Sequence, residues 1–271
     1  MYKDLFSLKG KTAIVTGGTG ILGQEFSTIL AEFGANVVVV DINKLQIDKF
    51  VKKLQKKSTS KIIGFECDVS DKISVDEMVS SVLSIFGCID ILHNNAAGKS
   101  ENLPLFFESF ENYDLSQWNK IMSINLNGMF LVAQAVGQSM VNNKIKGSII
   151  QTSSIYGILG PDQRIYEDSL YLGHQINTPA VYSVSKSGVI GLTKYLATYW
   201  ASKGIRVNTL TPGGVESGQN DVFKKKYSDR IPLGRMAVPS EMVGGLLFLA
   251  SDASSYVTGQ NIIIDGGLSA W

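Results

Sequence analysis

Apolar residues recur along the chain in two alternating rhythms. Short β-branched runs, KTAIVT (11–16), ANVVVVD (35–41) and KIIGFECD (61–68), are separated by stretches with helical spacing, QEFSTILAEFG (24–34) and LQIDKFVKKLQKK (45–57). The same alternation continues through CIDILHN (88–94), a long helical stretch from Trp118 to Val141, GSIIQTS (147–153), a helix over 182–204, IRVNTLTP (205–212), a helix near 239–252 and the strand NIIID (261–265). Strand and helix in strict turn signal βαβ units. Several strands are apolar at consecutive positions, as strands covered on both faces are. The pattern predicts a single α/β domain over 1–271, a Rossmann-type, doubly wound sheet of seven parallel strands.

Composition narrows the function classes. With 44% hydrophobic and 18% charged residues the chain reads as an ordinary globule, and 25 basic against 24 acidic residues leave a formal charge of +1. That balance gives no footprint for nucleic acid or an anionic membrane. The start, MYKDLFSLKGK, lacks a signal-peptide pattern, and no apolar run approaches a membrane span, so a cytoplasmic location is expected. Cys67 and Cys88 have no CxxC spacing and read as reduced core thiols, and no cluster has metal-ligand spacing. The lysines of KKLQKK read as a solvated helix face.

The chemistry begins at TGGTGILG, Thr16 to Gly23, between the first strand and the first helix. From Gly18 the spacing is G-x-G-x-x-G through Gly20 and Gly23, the form that brings a dinucleotide pyrophosphate against bare backbone and a helix N-terminus. Asp41 ends the second strand roughly 20 residues beyond, where a carboxylate accepts ribose hydroxyls and repels a 2′-phosphate. NAD is therefore expected in preference to NADP, with Lys44 the one nearby cation. Asp68 and Val69 end the third strand, placed either to meet an adenine ring or to cap the following helix. Tyr182 and Lys186 are four apart and share one face of a helix. An ammonium near the phenol, helped by an oxidised nicotinamide, would lower the tyrosine toward working pH and let it pass a proton.

The ordered motifs TGGTGILG, CDVSD, HNNAA, INLNG, QTSSIYG, YSVSK, TPGGV and YVTGQNIIIDGG resemble the short-chain dehydrogenase/reductase family over essentially the whole chain. The resemblance implies a catalytic group of Asn125, Ser154, Tyr182 and Lys186: Tyr182 as acid/base, Lys186 holding the nicotinamide ribose, Ser154 bonding the substrate oxygen, and Asn125 supporting a water-linked relay. Ser153 is the competing serine. It also implies a cofactor site of Gly17, Thr19, Gly20, Ile21, Leu22, Asp41, Ile42, Asp68, Val69, Asn95, Ala96, Ala97, Tyr182, Lys186, Pro212, Gly213 and Val215. Asn94 matches the same turn, whereas Ala97 stands where the family usually has Gly. Short members also carry T-G-x-x-x-G-x-G, which would place Gly at Ile21.

The stretch between Ser154 and Tyr182 is longer than in many family members, an insertion at about 157–180. Gln163, Arg164, Tyr166 and Glu167 give it polar capacity. Arg164 is a candidate clamp for a carboxylate or phosphate, or else a surface ion-pair partner of Asp162 or Glu167. His93 is expected to pack at a strand end and His174 to lie in a loop. SIYGILGPDQRIYE and GGLSAW resemble a subgroup linked to bacterial sugar and surface-glycan pathways, including legionaminic acid and flagellin modification, and gluconate 5-dehydrogenase-like enzymes. The expected substrate is thus a sugar-like secondary alcohol or ketone, or a sugar acid. The alternatives are an NADPH-linked 3-oxoacyl thioester reductase and a non-catalytic nicotinamide sensor. Nucleotide-sugar epimerases share the glycine spacing, but too few residues follow IRVNTLTPGG for their substrate domain. The resemblance further implies a homotetramer or homodimer built on the helices containing Asn125–Val141 and Tyr182–Ala201; the ending LSAW is expected to pack across such an interface because Trp271 has no evident place in the core.

Overall fold

The computed structural model describes residues 2–98 and 102–271. Its strands are β1 (Thr12–Thr16), β2 (Asn36–Asp41), β3 (Ile62–Glu66), β4 (Ile91–Asn94), β5 (Ser148–Thr152), β6 (Leu170–Tyr171), β7 (His174–Gln175), β8 (Arg206–Pro212) and β9 (Asn261–Ile264). The helices are α1 (Ile21–Glu32), α2 (Lys44–Gln55), α3 (Lys72–Phe86), α4 (Leu103–Phe106), α5 (Leu115–Met122), α6 (Gly128–Asn142), α7 (Ala180–Trp200), α8 (Asp221–Ser228) and α9 (Val243–Ala250). Seven strands form one parallel sheet in the order β3-β2-β1-β4-β5-β8-β9. The strand order reverses between β1 and β4, where α/β sheets open a crevice at the carboxyl ends of their strands.

Alternation along each strand feeds two cores. Val38 and Val40 of β2 and Ile14 of β1 pack with α3, α6 and α7, through residues such as Met78, Val132 and Trp200. Val37, Val39, Ala13 and Val15 point the other way, against Phe26 of α1, Phe50 of α2 and Leu246 of α9. Burial on both faces explains why these strands read as unbroken apolar runs. Cys67 belongs to the first core, but Cys88 is only partly buried, with its thiol donating to Asp90 Oδ2 at 3.6 Å, a departure from the expected pair of core thiols.

Two features exceed the sequence pattern. The helical stretch over 118–141 is not uniform: between α5 and α6 a wide π turn spans Ser123–Asn127 and contains Asn125. The insertion is not an open loop. A short 3₁₀ turn at Gln163–Tyr166 and an antiparallel β6-β7 hairpin fold it onto α8 and the C-terminal segment, forming a third core of Ile155, Ile165, Tyr166, Ile176, Phe223, Tyr227, Ile231, Met236 and Leu268. The hairpin turn holds Leu172 at φ 50° and Gly173 at φ 81°, the two left-handed residues of a tight hairpin. No helix among the described residues is long and apolar enough to cross a membrane.

Candidate active site

The carboxyl ends of β1, β2, β4, β5 and β8 surround a cleft of about 870 Å³. Gly17, Thr19, Gly20, Ile21, Leu22, Asp41, Ile42, Asp68, Val69, Asn95, Ala96, Ala97, Ser154, Tyr182, Lys186, Pro212, Gly213 and Val215 all line it. Gln46, Lys120 and Ser123 line it too, from the first turn of α2, the last turn of α5 and the π turn, where no motif marks them, and so does Ser70 of CDVSD, which the resemblance does not assign to the cofactor site.

The floor is a bare backbone. Gly17 has φ +60°, and a Cβ there would sit 2.9 Å from Ala96 Cα; a Cβ on Gly23 would fall 2.0 Å from Gly17 O. Gly20 caps α1 without any side-chain hydrogen bond, so the first-turn N–H groups are free of competing side-chain acceptors. Gly18, by contrast, stacks on β2, donating its N–H to Val40 O at 2.9 Å, and is not part of the lining. The Asp41 carboxylate lies across the loop: Oδ2 accepts from Thr19 N at 3.0 Å and Thr19 Oγ1 at 2.6 Å, while Oδ1 accepts from Ile42 N at 2.9 Å. Lys44 is engaged in an exposed pair with Asp48. A Cβ-free turn, an uncapped helix N-terminus and a fixed carboxylate form a cradle that fits a nicotinamide dinucleotide.

The turn after β4 is tied to β1 by Thr16, whose Oγ1 accepts from Asn95 N at 2.9 Å and Ala96 N at 3.0 Å. Asn94, expected at the same turn beside the cofactor, faces inward instead. It is 1% exposed and donates to Met129 O at 2.7 Å, anchoring α6, so Asn95 is the asparagine at the cleft. Ala97 needs no left-handed backbone, which is why an alanine is accommodated there.

At the inner end, α7 carries Tyr182 and Lys186 under the end of β5. Lys186 is 2% exposed and donates from Nζ to Thr152 O at 3.0 Å, with Nζ 6.0 Å from the centre of the Tyr182 ring. Burial lowers its ammonium to about 8. Burial also pushes the Tyr182 phenol up, partly offset by a hydrogen bond with Ser154. In the chain by itself desolvation of the phenolate outweighs the Ser154 bond, and the lowering expected beside Lys186 applies with an oxidised nicotinamide in place. Both serines line the cleft, but their hydroxyls divide: Ser153 commits its own to Lys186 O at 2.8 Å, whereas Ser154 bonds Tyr182. Asn125 lies outside the lining, fully buried in the π turn. Its Oδ1 accepts from Gly98 N at 2.8 Å, and its Nδ2 has no partner among the described residues. His93 is likewise buried, its Nε2 2.8 Å from Thr152 Oγ1, and burial lowers it to about 3.

A second cleft of about 250 Å³ opens under the insertion and shares Ser154, Tyr182, Gly213 and Val215 with the first. Tyr166 lines it, its hydroxyl donating to Tyr156 Oη at 3.2 Å and bonded to Thr178 Oγ1. Arg164 does not. Its guanidinium is held outside by a two-pronged bond to Asp162, 2.9 Å and 2.8 Å, with the side chain 85% exposed, so a carboxylate two residues away has captured the expected clamp. His174 is exposed in the hairpin. Tyr156, Asn177, Thr178, Phe223 and Tyr227 also form this wall; only Tyr156, beside Ser154 in SIYG, lay within a recognisable motif.

A family model described as enoyl-(acyl carrier protein) reductase matches residues 19–269. The chain is 37% identical to a sorbose reductase of Candida albicans, over 97% of this chain and 89% of the relative. It is 36% identical to a 3-oxoacyl-[acyl-carrier-protein] reductase of Thermotoga maritima, over 96% and 98%. Among solved structures, a short-chain dehydrogenase from Leptospira borgpetersenii with bound NAD+ superposes with a TM-score of 0.85 at 35% identity, covering 99% of this chain and 96% of that one. A gluconate 5-dehydrogenase from Burkholderia cenocepacia, in complex with NADP and tartrate, superposes with a TM-score of 0.88 at 29% identity over the full length of both. With its parallel sheet, its glycine cradle and these likenesses, the chain belongs to the short-chain dehydrogenase/reductase family, oxidoreductases that act on alcohol and ketone groups with a nicotinamide cofactor.

Proposed function

We propose that this protein interconverts a secondary alcohol and a ketone on a small polyhydroxy, sugar-like substrate, with NAD(H) preferred. The observation carrying this reading is the junction of the two clefts: Ser154 and Tyr182 line both, so one substrate oxygen can reach both hydroxyls from the second cleft while its carbon faces the first. A bound nicotinamide supplies the hydride in reduction and accepts it in oxidation. In the reducing direction Tyr182 gives its phenolic proton to the substrate oxygen as the C–H bond forms, and Ser154 donates a hydrogen bond to that oxygen. Lys186, as an ammonium beside the phenol, stabilises the tyrosinate left behind and would hold the nicotinamide ribose. Asn125 shapes the π turn and presents its free Nδ2 to a relay water behind the lysine. Gly17, Gly20, Ile21 and Leu22 would hold the pyrophosphate, and Asp41 the adenosine ribose, which favours NAD over NADP.

Relatives named as a sorbose reductase and as D-arabinitol 2-dehydrogenases support the polyhydroxy substrate, as does the polar wall of the second cleft. The likeness of SIYGILGPDQRIYE to surface-glycan enzymes fits the same class. The acyl-carrier relative keeps an NADPH-linked 3-oxoacyl thioester as the second reading. Assembly as a homotetramer or homodimer would use α6 and α7, where the Tyr195 and Tyr199 rings stack in the open; light scattering tests it. The function is tested by turnover of sorbose, ribulose, arabinitol, mannitol and a 3-oxoacyl thioester with both cofactors. Tyr182→Phe should lower kcat by about 100-fold or more while NADH still binds; a variant with wild-type kcat would refute the assignment.

A further inference from the structure

Every described residue lining the second cleft is uncharged. Its wall is largely aromatic, yet two polar atoms in it are buried and have no partner among the described residues: the Tyr227 hydroxyl and Asn177 Oδ1. Three of the cleft's other hydroxyls are occupied among themselves, since Tyr166 bonds Tyr156 and Thr178. Native interiors rarely leave such groups unpaired, and exceptions call for a ligand, water or functional reason.

Local packing holds both groups in place. Tyr227 is 2% exposed on α8, its ring 5.5 Å from that of Phe223 and lying over Gly214, where a Cβ would fall 2.2 Å from Tyr227 Cε1. Asn177 donates from Nδ2 to Phe107 O at 2.7 Å, which orients the amide and leaves Oδ1 as a free acceptor. Burial pushes the Tyr156, Tyr166 and Tyr227 phenols up, so all three are neutral at physiological pH. The nearest cation behind them, Arg230, lines a different cleft with Leu159 and Trp271, with Nε 3.6 Å from Asp162.

We propose that the Tyr227 hydroxyl and Asn177 Oδ1 bind substrate hydroxyls away from the reacting carbon, selecting a small neutral polyhydroxy ketone or alcohol over its carboxylate or phosphate counterpart. The proposal rests on the oxidoreductase reading above. A hydroxyl both donates and accepts, so it satisfies a phenol and an amide oxygen alike. An anion would enter a wall whose own side chains carry no charge, with the cation that acts on the three phenols, Arg230, set behind them beside Asp162, and would lose more hydration than that wall returns. The volume of about 250 Å³ lies below the roughly 300 Å³ at which sites for drug-sized ligands begin.

The test compares wild type, Tyr227→Phe and Asn177→Ala on a neutral ketose, its monodeoxy analogues and the keto acid of equal chain length, at saturating cofactor. Tyr227→Phe should lower kcat/KM for the ketose by about tenfold, mainly through KM, the loss of one hydrogen bond. It should leave one deoxy analogue unaffected, and its melting temperature should match wild type. Asn177→Ala should single out a different analogue. Equal losses on every analogue, no loss on the ketose, or a keto acid preferred to the ketose would overturn the proposal. If wild type turned over none of these compounds, the oxidoreductase reading on sugars would fail, and calorimetric binding of the ketose would judge the contacts alone: equal affinity for wild type and Tyr227→Phe refutes them, and a weaker variant upholds them.

Discussion

Lys186 offers a test of the inner site that does not depend on a substrate. The side chain is 2% exposed, and burial lowers its ammonium from 10.5 to about 8. The unfolded chain therefore binds more protons than the folded one between about pH 8 and 10.5, and stability rises with pH across that window. Below pH 8 the folded protein carries the full desolvation of the ammonium, about 3 kcal/mol by the size of the lowering. Lys186→Met keeps the length of the side chain and removes the charge, and with it this pH dependence. Losing the bond to Thr152 O shifts the variant's stability by a roughly constant 1–3 kcal/mol. The slope is then the diagnostic quantity. The unfolding free energy of Lys186→Met minus that of wild type should fall by about 2 kcal/mol from pH 7 to pH 9.5. Urea unfolding of ligand-free protein, at one protein concentration throughout, measures it. A difference that stays flat or grows with pH would refute the buried ammonium, and with it the electrostatic role given to Lys186.

Gly23→Ala would force a Cβ to 2.0 Å from Gly17 O and 2.8 Å from Gly18 Cα, so the loop must shift; NADH affinity by fluorescence titration should drop by at least about tenfold, and an unchanged affinity would contradict the cradle. Asp41→Ala removes the carboxylate that holds Thr19 and repels a 2′-phosphate, so the ratio of NADPH to NADH dissociation constants should fall by about tenfold or more; an unchanged ratio would remove Asp41 from cofactor selection. Arg164→Ala breaks only an exposed pair with Asp162 and should leave kcat/KM within about twofold; a larger loss would return Arg164 to the substrate.

What the sequence made legible was chemistry tied to local geometry. Gly18, Gly20 and Gly23 are readable because a strand-to-helix turn in close backbone contact demands residues without a Cβ at fixed offsets, Gly17 came only with the family resemblance, and Asp41 is readable because it closes the neighbouring strand. Tyr182 and Lys186 are readable because one helical turn separates them. The sheet was legible through burial on both faces of strands such as Val37–Val40. Contacts made between distant segments had no such signal. Tyr227 reaches the second cleft from α8 through a core shared with Ile165 and Ile176 of the insertion, and nothing in its own neighbourhood marks it. The β6-β7 hairpin was hidden by two-residue strands and by Leu172 in a left-handed position more often given to Gly or Asn.

Arg164 shows why residue type misleads in such a segment. A folded insertion has an inner and an outer face, and desolvation sorts its side chains between them. Arg164 and Glu167 went to the outer face, where water solvates their charge and Asp162 or Lys226 can pair with it. Tyr166, Ile176 and Thr178 turned inward, so the wall that meets the substrate has the opposite character from the segment's polar average. Charged residues in the linear sequence left a sugar acid among the expected substrates, whereas the sorting that buried their neighbours argues for a neutral one. The same logic places specificity in hydroxyls and an amide oxygen, groups that tolerate burial when a ligand hydroxyl completes their hydrogen bonds.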